Sequence, residues 1–395
     1  MIPRCKRPRF KFNIPFALCC CVVLCPLMDG CSFFPDGASG PPAALSVVQT
    51  QDLGTIGSNP KISGRDGGYS GIFAGNAVWL YGDTFLANPN AEGQTLISDS
   101  WAFTTDFNAT DGITGFQERE DSVGAPTMIL TLTAAEQAFN NAHQGNPCQQ
   151  QPCGARWALW PGAMIADTAR NRALIFYQLV SAQPGNFNFH AVGYSVARWQ
   201  NFAGLPQRPA INPQAEHPDL LFGESDPAFG SAALVVGDRL YAYGCNTSNF
   251  AVPCKLGRVA LENVTQLSAW TVYAGNENWS SKLRDALPVF TGNPILNVSW
   301  NDYLQQYVAV YNSPLSENVM MRTAPNPEGP WSREVMAFTA LKPAPGQSPV
   351  DDAQAHPEYN VNGGQTMFVT YSHATGEFTS EIRLVSVQLS KANSP

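Results

Sequence analysis

Three observations predict an all-β chain folded as a five-bladed β-propeller. No long helical periodicity runs through the sequence, and the best helical stretch, residues 133–142, lies inside an insertion. A unit recurs roughly every 60–70 residues: a small-residue strand, a turn, a strongly aromatic strand, a polar loop, and a third strand often ending near Trp. Charged residues make up only 14% of the chain and aromatics 11%, with 33 Gly and 31 Pro, the balance of a loop-rich β protein with a large core.

The five copies run in order along the chain. The first comprises residues 69–74, 77–81 and 100–104, and the second 162–166, 173–179 and 191–199. The third comprises 231–236, 239–244 and 257–261, with Trp270 after it. The fourth comprises 295–300, 306–311 and 318–323, with Trp331 after it, and the fifth 358–361, 366–371 and 382–389. The second strand of each copy is the most apolar, as expected of a strand buried between neighbouring blades. A β-sandwich or β-helix is the alternative; the blade-length period favours the propeller. Trp199, Trp270 and Trp331 recur at one position of the unit and are expected to be structural.

The start of the chain reads as an export signal rather than fold. Arg4, Lys6, Arg7, Arg9 and Lys11 precede an apolar run, residues 14–28, that is short for a membrane span. The run ends in Pro26-Leu27-Met28-Asp29-Gly30-Cys31. A small residue before Cys resembles a bacterial lipoprotein cleavage site, with Cys31 lipidated, although Asp29 is atypical there. The expected organisation is a signal peptide over residues 1–30, a tether rich in Gly, Pro and Ala over 31–45, and a catalytic propeller over 46–395. The protein is accordingly expected to be exported, in the bacterial cell envelope or secreted, to touch membrane only through its lipid anchor, and to be a monomer.

The whole chain carries a formal net charge of −8. Residues 1–30 hold five basic residues and one acid, so the remainder sets 18 basic side chains against 30 acidic ones, a net charge of −12. That balance argues against nucleic acid or an anionic membrane as partner. Six of the ten cysteines lie at or before Cys31; Cys148, Cys153, Cys245 and Cys254 remain. Their close pairing predicts two local disulfides, 148–153 and 245–254, in an oxidising compartment. A four-Cys zinc site is the alternative, but the pairs fall in different repeats and lack zinc-ribbon spacing.

The most informative stretch is Gly64-Arg65-Asp66-Gly67-Gly68-Tyr69-Ser70-Gly71-Ile72-Phe73-Ala74-Gly75-Asn76-Ala77-Val78-Trp79-Leu80-Tyr81-Gly82-Asp83-Thr84. Two β-prone runs flank Gly75-Asn76, a tight-turn signal, so the stretch reads as a hairpin. With the turn there, Asp66 lies near Phe85 and Asp83 near Gly68, which puts both acids at the open end. Paired carboxylates on a rigid scaffold are what glycoside hydrolysis requires: one protonates the leaving oxygen, the other acts at the anomeric carbon or on water. Each acid also has a simpler reading as a turn residue capping backbone amides.

In a propeller, residues at the start of each inner strand converge on one face. Asp66, Trp160, Asp226, Asn297 and His356 hold those positions and would make a polar pocket. Arg65, Trp160, Glu224, Asp226, Asn297, Trp300, His356 and Glu358 are the candidate substrate-binding residues, Trp160 and Trp300 by stacking on sugar faces. His356 has no metal-ligand spacing around it, and neither a metal nor a cofactor is called for.

These motifs carry a resemblance. The Asp66 and Asp83 segments, Val298-Ser299-Trp300-Asn301, Arg322-Thr323-Ala324-Pro325-Asn326-Pro327-Glu328-Gly329-Pro330-Trp331 and His356-Pro357-Glu358 resemble the domain of unknown function 4185, over about residues 50–390. Part of that family is classed as glycoside hydrolase family 183, the endo-D-arabinanases. The resemblance implies a five-bladed propeller, cleavage of internal D-arabinofuranosyl linkages, and catalytic roles for Asp66 and Asp83. Another furanoside, such as L-arabinan or fructan, is the alternative substrate, and a non-catalytic carbohydrate-binding propeller the alternative function.

Overall fold

A strand that is apolar on both faces must be covered on both, so a sheet built around it packs against a neighbour on each side. Five such antiparallel sheets follow one another in the computed structural model, which describes residues 45–391 except 186, 247–250 and 351. Blade one contains Ile62–Phe73, Asn76–Leu86, Ser100–Thr104 and Gln117–Glu118, with Leu96–Ile97 beside its second strand. Blade two contains Arg156–Asp167, Arg172–Ala182, Phe189–Trp199 and Phe222–Gly223. Blade three begins with Phe229–Val236, Arg239–Cys245 and Pro253–Ala260, and is extended by Thr271–Tyr273, Trp279–Ser280 and Pro288–Thr291. Blade four contains Leu296–Asn301, Gln306–Asn312, Asn318–Ala324 and Val335–Thr339. Blade five contains Gln354–Ala355, Thr366–Gly376 and Thr379–Lys391, and its outermost strand is Leu45–Ile56.

The core lies between the blades and closes a ring. Val78, Leu80 and Trp101 of blade one share a cluster with Leu174, Phe176 and Trp199 of blade two, which continues to Phe229 of blade three. Tyr243 and Leu256 pack with Val298 and Ala309 of blade four, and Val308 and Val310 with Val369 and Val385 of blade five. Phe368 and Leu384 of blade five then meet Trp79 and Tyr81 of blade one. The protein is therefore a five-bladed β-propeller. Trp199 and Trp270 are fully buried, in keeping with a structural role.

The chain ends meet in blade five. Leu45–Ile56 pairs antiparallel with Thr379–Lys391, Leu45 opposite Lys391 and Ile56 opposite Ile382, so the first strand completes the last sheet. No strand is predicted there from the sequence, because the pairing joins segments at opposite ends of the chain. The inner strand of blade five also differs from expectation. It is the short Gln354–Ala355, while Pro357–Tyr359 forms a 3-10 turn, with Pro in its first turn as helical starts favour.

Both cysteine pairs, Cys148–Cys153 and Cys245–Cys254, form disulfides; the second links facing residues of blade three's second and third strands. The insertion holds the helix Ala134–His143, started by a capping box in which Thr133 and Glu136 each accept from the other's backbone N–H. Buried Arg208 ties that helix to blade two, pairing with Glu136 at 2.7 Å and Asp219 at 2.6 Å. Cys31, the expected signal peptide over residues 1–30 and residues 31–44 of the expected tether lie outside the described residues.

Candidate active site

The hairpin of blade one turns one residue earlier than its sequence suggests. Phe73 faces Asn76, so the two-residue loop is Ala74-Gly75, with φ of 51° and 78°. Positive φ at both positions gives the turn that matches the right-handed twist of the strands. The register then runs Ser70 to Trp79, Gly67 to Tyr81 and Arg65 to Thr84, with bulges around Gly67. Asp66, skipped by the strand register at the bulge, therefore sits against Gly82 rather than Phe85, and a Cβ placed on Gly82 would lie 4.0 Å from the Asp66 Cβ. Gly67, at φ 88°, makes the bulge affordable only to glycine. Asp352 of blade five fixes it, accepting from the Gly67 N–H at 2.9 Å, the Ser372 N–H at 2.9 Å and the Ser372 hydroxyl.

Asp66 and Asp83 line one cleft of about 1290 Å³ on the face where the inner strands begin. Asp66 is exposed, and the Asp83 side chain is 21% exposed. Trp160, on the neighbouring inner strand, donates its indole N–H to Asp83 Oδ1 at 3.1 Å, and Arg156 Nη2 approaches the same oxygen at 3.4 Å. Burial raises the Asp83 carboxyl above the ordinary range, and the nearby guanidinium and the two hydrogen bonds oppose the rise. Behind the pair lies Asp99, with no exposure. Its Oδ1 accepts from the Ile129 N–H at 2.6 Å and the Leu130 N–H at 3.3 Å, and burial, reinforced by the charge of Asp83, pushes its carboxyl up to about 8.

Of the candidate catalytic and substrate-binding residues, Asp66, Asp83 and Trp160 line this cleft; the others do not. Arg65 adjoins Asp66 but points to the opposite face, where its buried guanidinium meets Glu118 at 3.0 Å, the Gly57 carbonyl at 2.8 Å and the Tyr81 ring at 3.7 Å. Asp226 serves a turn, accepting from the Gly223 N–H at 2.9 Å, and Glu224 is exposed beside it. Asn297 lies within the inner strand of blade four, below the rim. Trp300 is at the far end of that hairpin, donating to Asp302 at 2.8 Å and packing edge-on against Tyr307.

His356 is sealed between blades five and one, with half-buried Glu358 beside it. The His356 ring, with no exposure, contacts the Ser70 hydroxyl at 2.6 Å through Nδ1 and the Thr370 hydroxyl at 2.7 Å through Nε2, and packs on Trp79. Burial holds this imidazole down to about 3, hence neutral. Ser70 also donates to Glu358, whose carboxyl burial pushes up. This network pins two blades together and touches none of the cleft-lining carboxylates.

The cleft also contains residues that sequence reasoning passed over: Arg156, Glu377, Phe187, Phe189 and Phe378. A usable signal existed. The loops joining second to third strands lie on the same face as the starts of the inner strands, so the tips near 187 and 378 were bound to reach it. Among the described residues no group of three or more His, Cys, Asp or Glu side chains is arranged to hold a metal ion.

Residues 50–369 match the family described as Domain of unknown function (DUF4185). The chain belongs to this family. This DUF4185 propeller is similar in fold to a Bacteroides ovatus protein provisionally assigned as a hydrolase, at TM-score 0.55 and 15% identity, covering 85% of this chain and 87% of that one. The catalytic domain of the GH62 α-L-arabinofuranosidase of Coprinopsis cinerea aligns at TM-score 0.43 and 11% identity, over 88% of this chain and 98% of that one. A β-xylosidase, RS223, aligns at TM-score 0.46 and 12% identity, over 86% and 94%. No curated protein matches the DUF4185 chain by sequence.

Proposed function

We propose that this DUF4185 protein is an exported glycoside hydrolase that cleaves internal D-arabinofuranosyl linkages, held at the bacterial cell envelope by a lipid on Cys31. The observation that carries the reading is the placement of Asp66 and Asp83 on adjacent strands of one hairpin, both lining one large cleft. The provisional hydrolase assignment of the Bacteroides ovatus protein of like fold agrees with it.

The environments of the two acids divide the roles. Asp83, part-buried and with its carboxyl raised, is the general acid; Arg156 and Trp160 hold its Oδ1 and leave Oδ2 for the proton. The proton passes from Asp83 to the glycosidic oxygen as the bond to the anomeric carbon breaks. Asp66, exposed in the cleft, attacks that carbon or takes a proton from the water that does, and the anomeric configuration of the product distinguishes the two. Release of reducing ends from D-arabinan, L-arabinan and fructan tests the reading: D-arabinan should yield oligosaccharides. Tight binding with no cleavage would make the protein a carbohydrate-binding propeller.

A further inference from the structure

Six Phe rings line the cleft, and three of them are exposed: Phe187 at 85%, Phe378 at 58% and Phe189 at 46%. Grouped exposed rings differ from the apolar side chains scattered singly over an ordinary surface, and they mark a binding site. They arise from loops on opposite sides of blade one. Phe378 sits at the tip of the blade-five hairpin, between Gly376 and Thr379, with its ring 4.8 Å from that of Phe85. Phe187 lies in the blade-two connection after Ala182 and Phe189 opens the strand that follows it, meeting Trp160 edge-on at 4.9 Å. Asp66 and Asp83 lie on blade one between these two groups, and Trp160 reaches Asp83 directly.

Two further observations narrow the occupant. Phe187 and Phe378 adopt φ of 56° and 55°, a left-handed conformation that a bulky residue rarely enters and that glycine would take without strain. The chain thus keeps a ring at both tips at a conformational cost. Arg156 is the one Lys or Arg among the described residues lining the cleft and is engaged with Asp83, while Asp66 and Glu377 add two more carboxyl groups. An anionic ligand is disfavoured there. A neutral ligand with apolar faces to stack and hydroxyls for Gln178, Asn188 and Gln347 fits instead.

We infer that Phe85–Phe378 on one side, and Trp160–Phe189 with Phe187 at the rim on the other, are sugar-stacking subsites flanking the carboxylates, so that a neutral polysaccharide lies across the cleft with sugar units held on both sides of the bond to be cut. The inference rests on the glycosidase reading and adds the residues that grip the chain. Internal cleavage follows, because neither end of the polymer has to enter a closed pocket.

Phe187→Ala and Phe378→Ala test it; both rings are exposed, and an unchanged melting midpoint checks that each variant folds. With soluble D-arabinan as the probe, each substitution should raise KM by about three- to tenfold, the scale of a lost stacking contact, leave kcat within about twofold, and shift the sizes of the first products. Unchanged KM and product sizes in both variants would overturn the inference. If the parent protein binds D-arabinan without cleaving it, Kd replaces KM: weakened binding in the variants upholds the subsites while the glycosidase reading fails, and unchanged binding overturns the subsites. Neither binding nor cleavage of D-arabinan, L-arabinan or fructan overturns both.

Discussion

Replacing Asp99 with Asn should change how stability depends on pH, by an amount that follows from its surroundings. Thr84 pairs with Ile97 and Tyr81 with Ser100, so Asp99 lies between those rungs, alongside Gly82 and Asp83. It has no exposure, and its Oδ2 has no hydrogen-bond partner among the described residues. Burial pushes its carboxyl up to about 8, against about 3.9 in an unfolded chain. A raised folded-state pKa contributes stability that is present in full below the unfolded value and is lost as pH rises through the folded one. In the window between them the loss runs at about 1.4 kcal/mol per pH unit, and it tails off near pH 8, which gives about 2 kcal/mol between pH 6 and 8. The Asn amide oxygen can still accept from Ile129 and Leu130 but has no proton to lose. Any fixed penalty for the buried amide nitrogen shifts the curve without tilting it. Urea unfolding of parent and Asp99→Asn at equilibrium, from pH 5 to 9, should show the parent losing about 2 kcal/mol relative to the variant between pH 6 and 8. Parallel curves would refute the argument.

The remaining predictions concern the site, the blade contact and the anchor. Asp66→Asn and Asp83→Asn should each keep the fold and lower turnover by at least about a hundredfold, with the double variant little worse than the worse single; near-normal turnover in either marks that Asp as a turn residue and directs the search to Glu377. If Asp83 is the acid, turnover falls as pH rises through its raised pKa; a profile limited only on the acidic side would exchange the two roles. Ser70→Ala leaves His356 Nδ1 and Glu358 without their shared hydroxyl and should cost about 1–3 kcal/mol in urea unfolding; a change below about 0.5 kcal/mol would mean that this network does not hold the blades. Cys31→Ser should move the protein from the membrane fraction to a soluble one, and an unchanged distribution would rule out lipidation at that residue.

The blades were legible because their second strands are buried on both faces. Runs such as Val78-Trp79-Leu80-Tyr81, all without exposure, stand out against the polar loops. The disulfides were legible from spacing, and the placement of Asp66 and Asp83 at one end of the hairpin from its turn. Errors arose where local pattern and geometry part. Ala74 does not announce a left-handed conformation, so the turn was expected one residue late and Asp66 opposite Phe85. Arg65 adjoins a cleft-lining acid but alternation sends it into the core, a consequence invisible until the register is known. His356 marked the right inner edge of blade five but lies inside the blade contact, and the closing strand Leu45–Ile56 finds its partner only at the other end of the chain. Phe187 and Phe378 escaped notice because their loops carry no chemistry-bearing motif; only the propeller brings them to the cleft.

The carboxylate pair of blade one is proposed to hydrolyse a sugar polymer from within. The most direct measurement is the size distribution of reducing-end products released from D-arabinan early in the reaction, by the parent protein and by Asp83→Asn in parallel. A broad set of oligosaccharides is expected from the parent and almost none from the variant. Bound but uncut polymer in the parent, or the same products at the same rate from the variant, would contradict it.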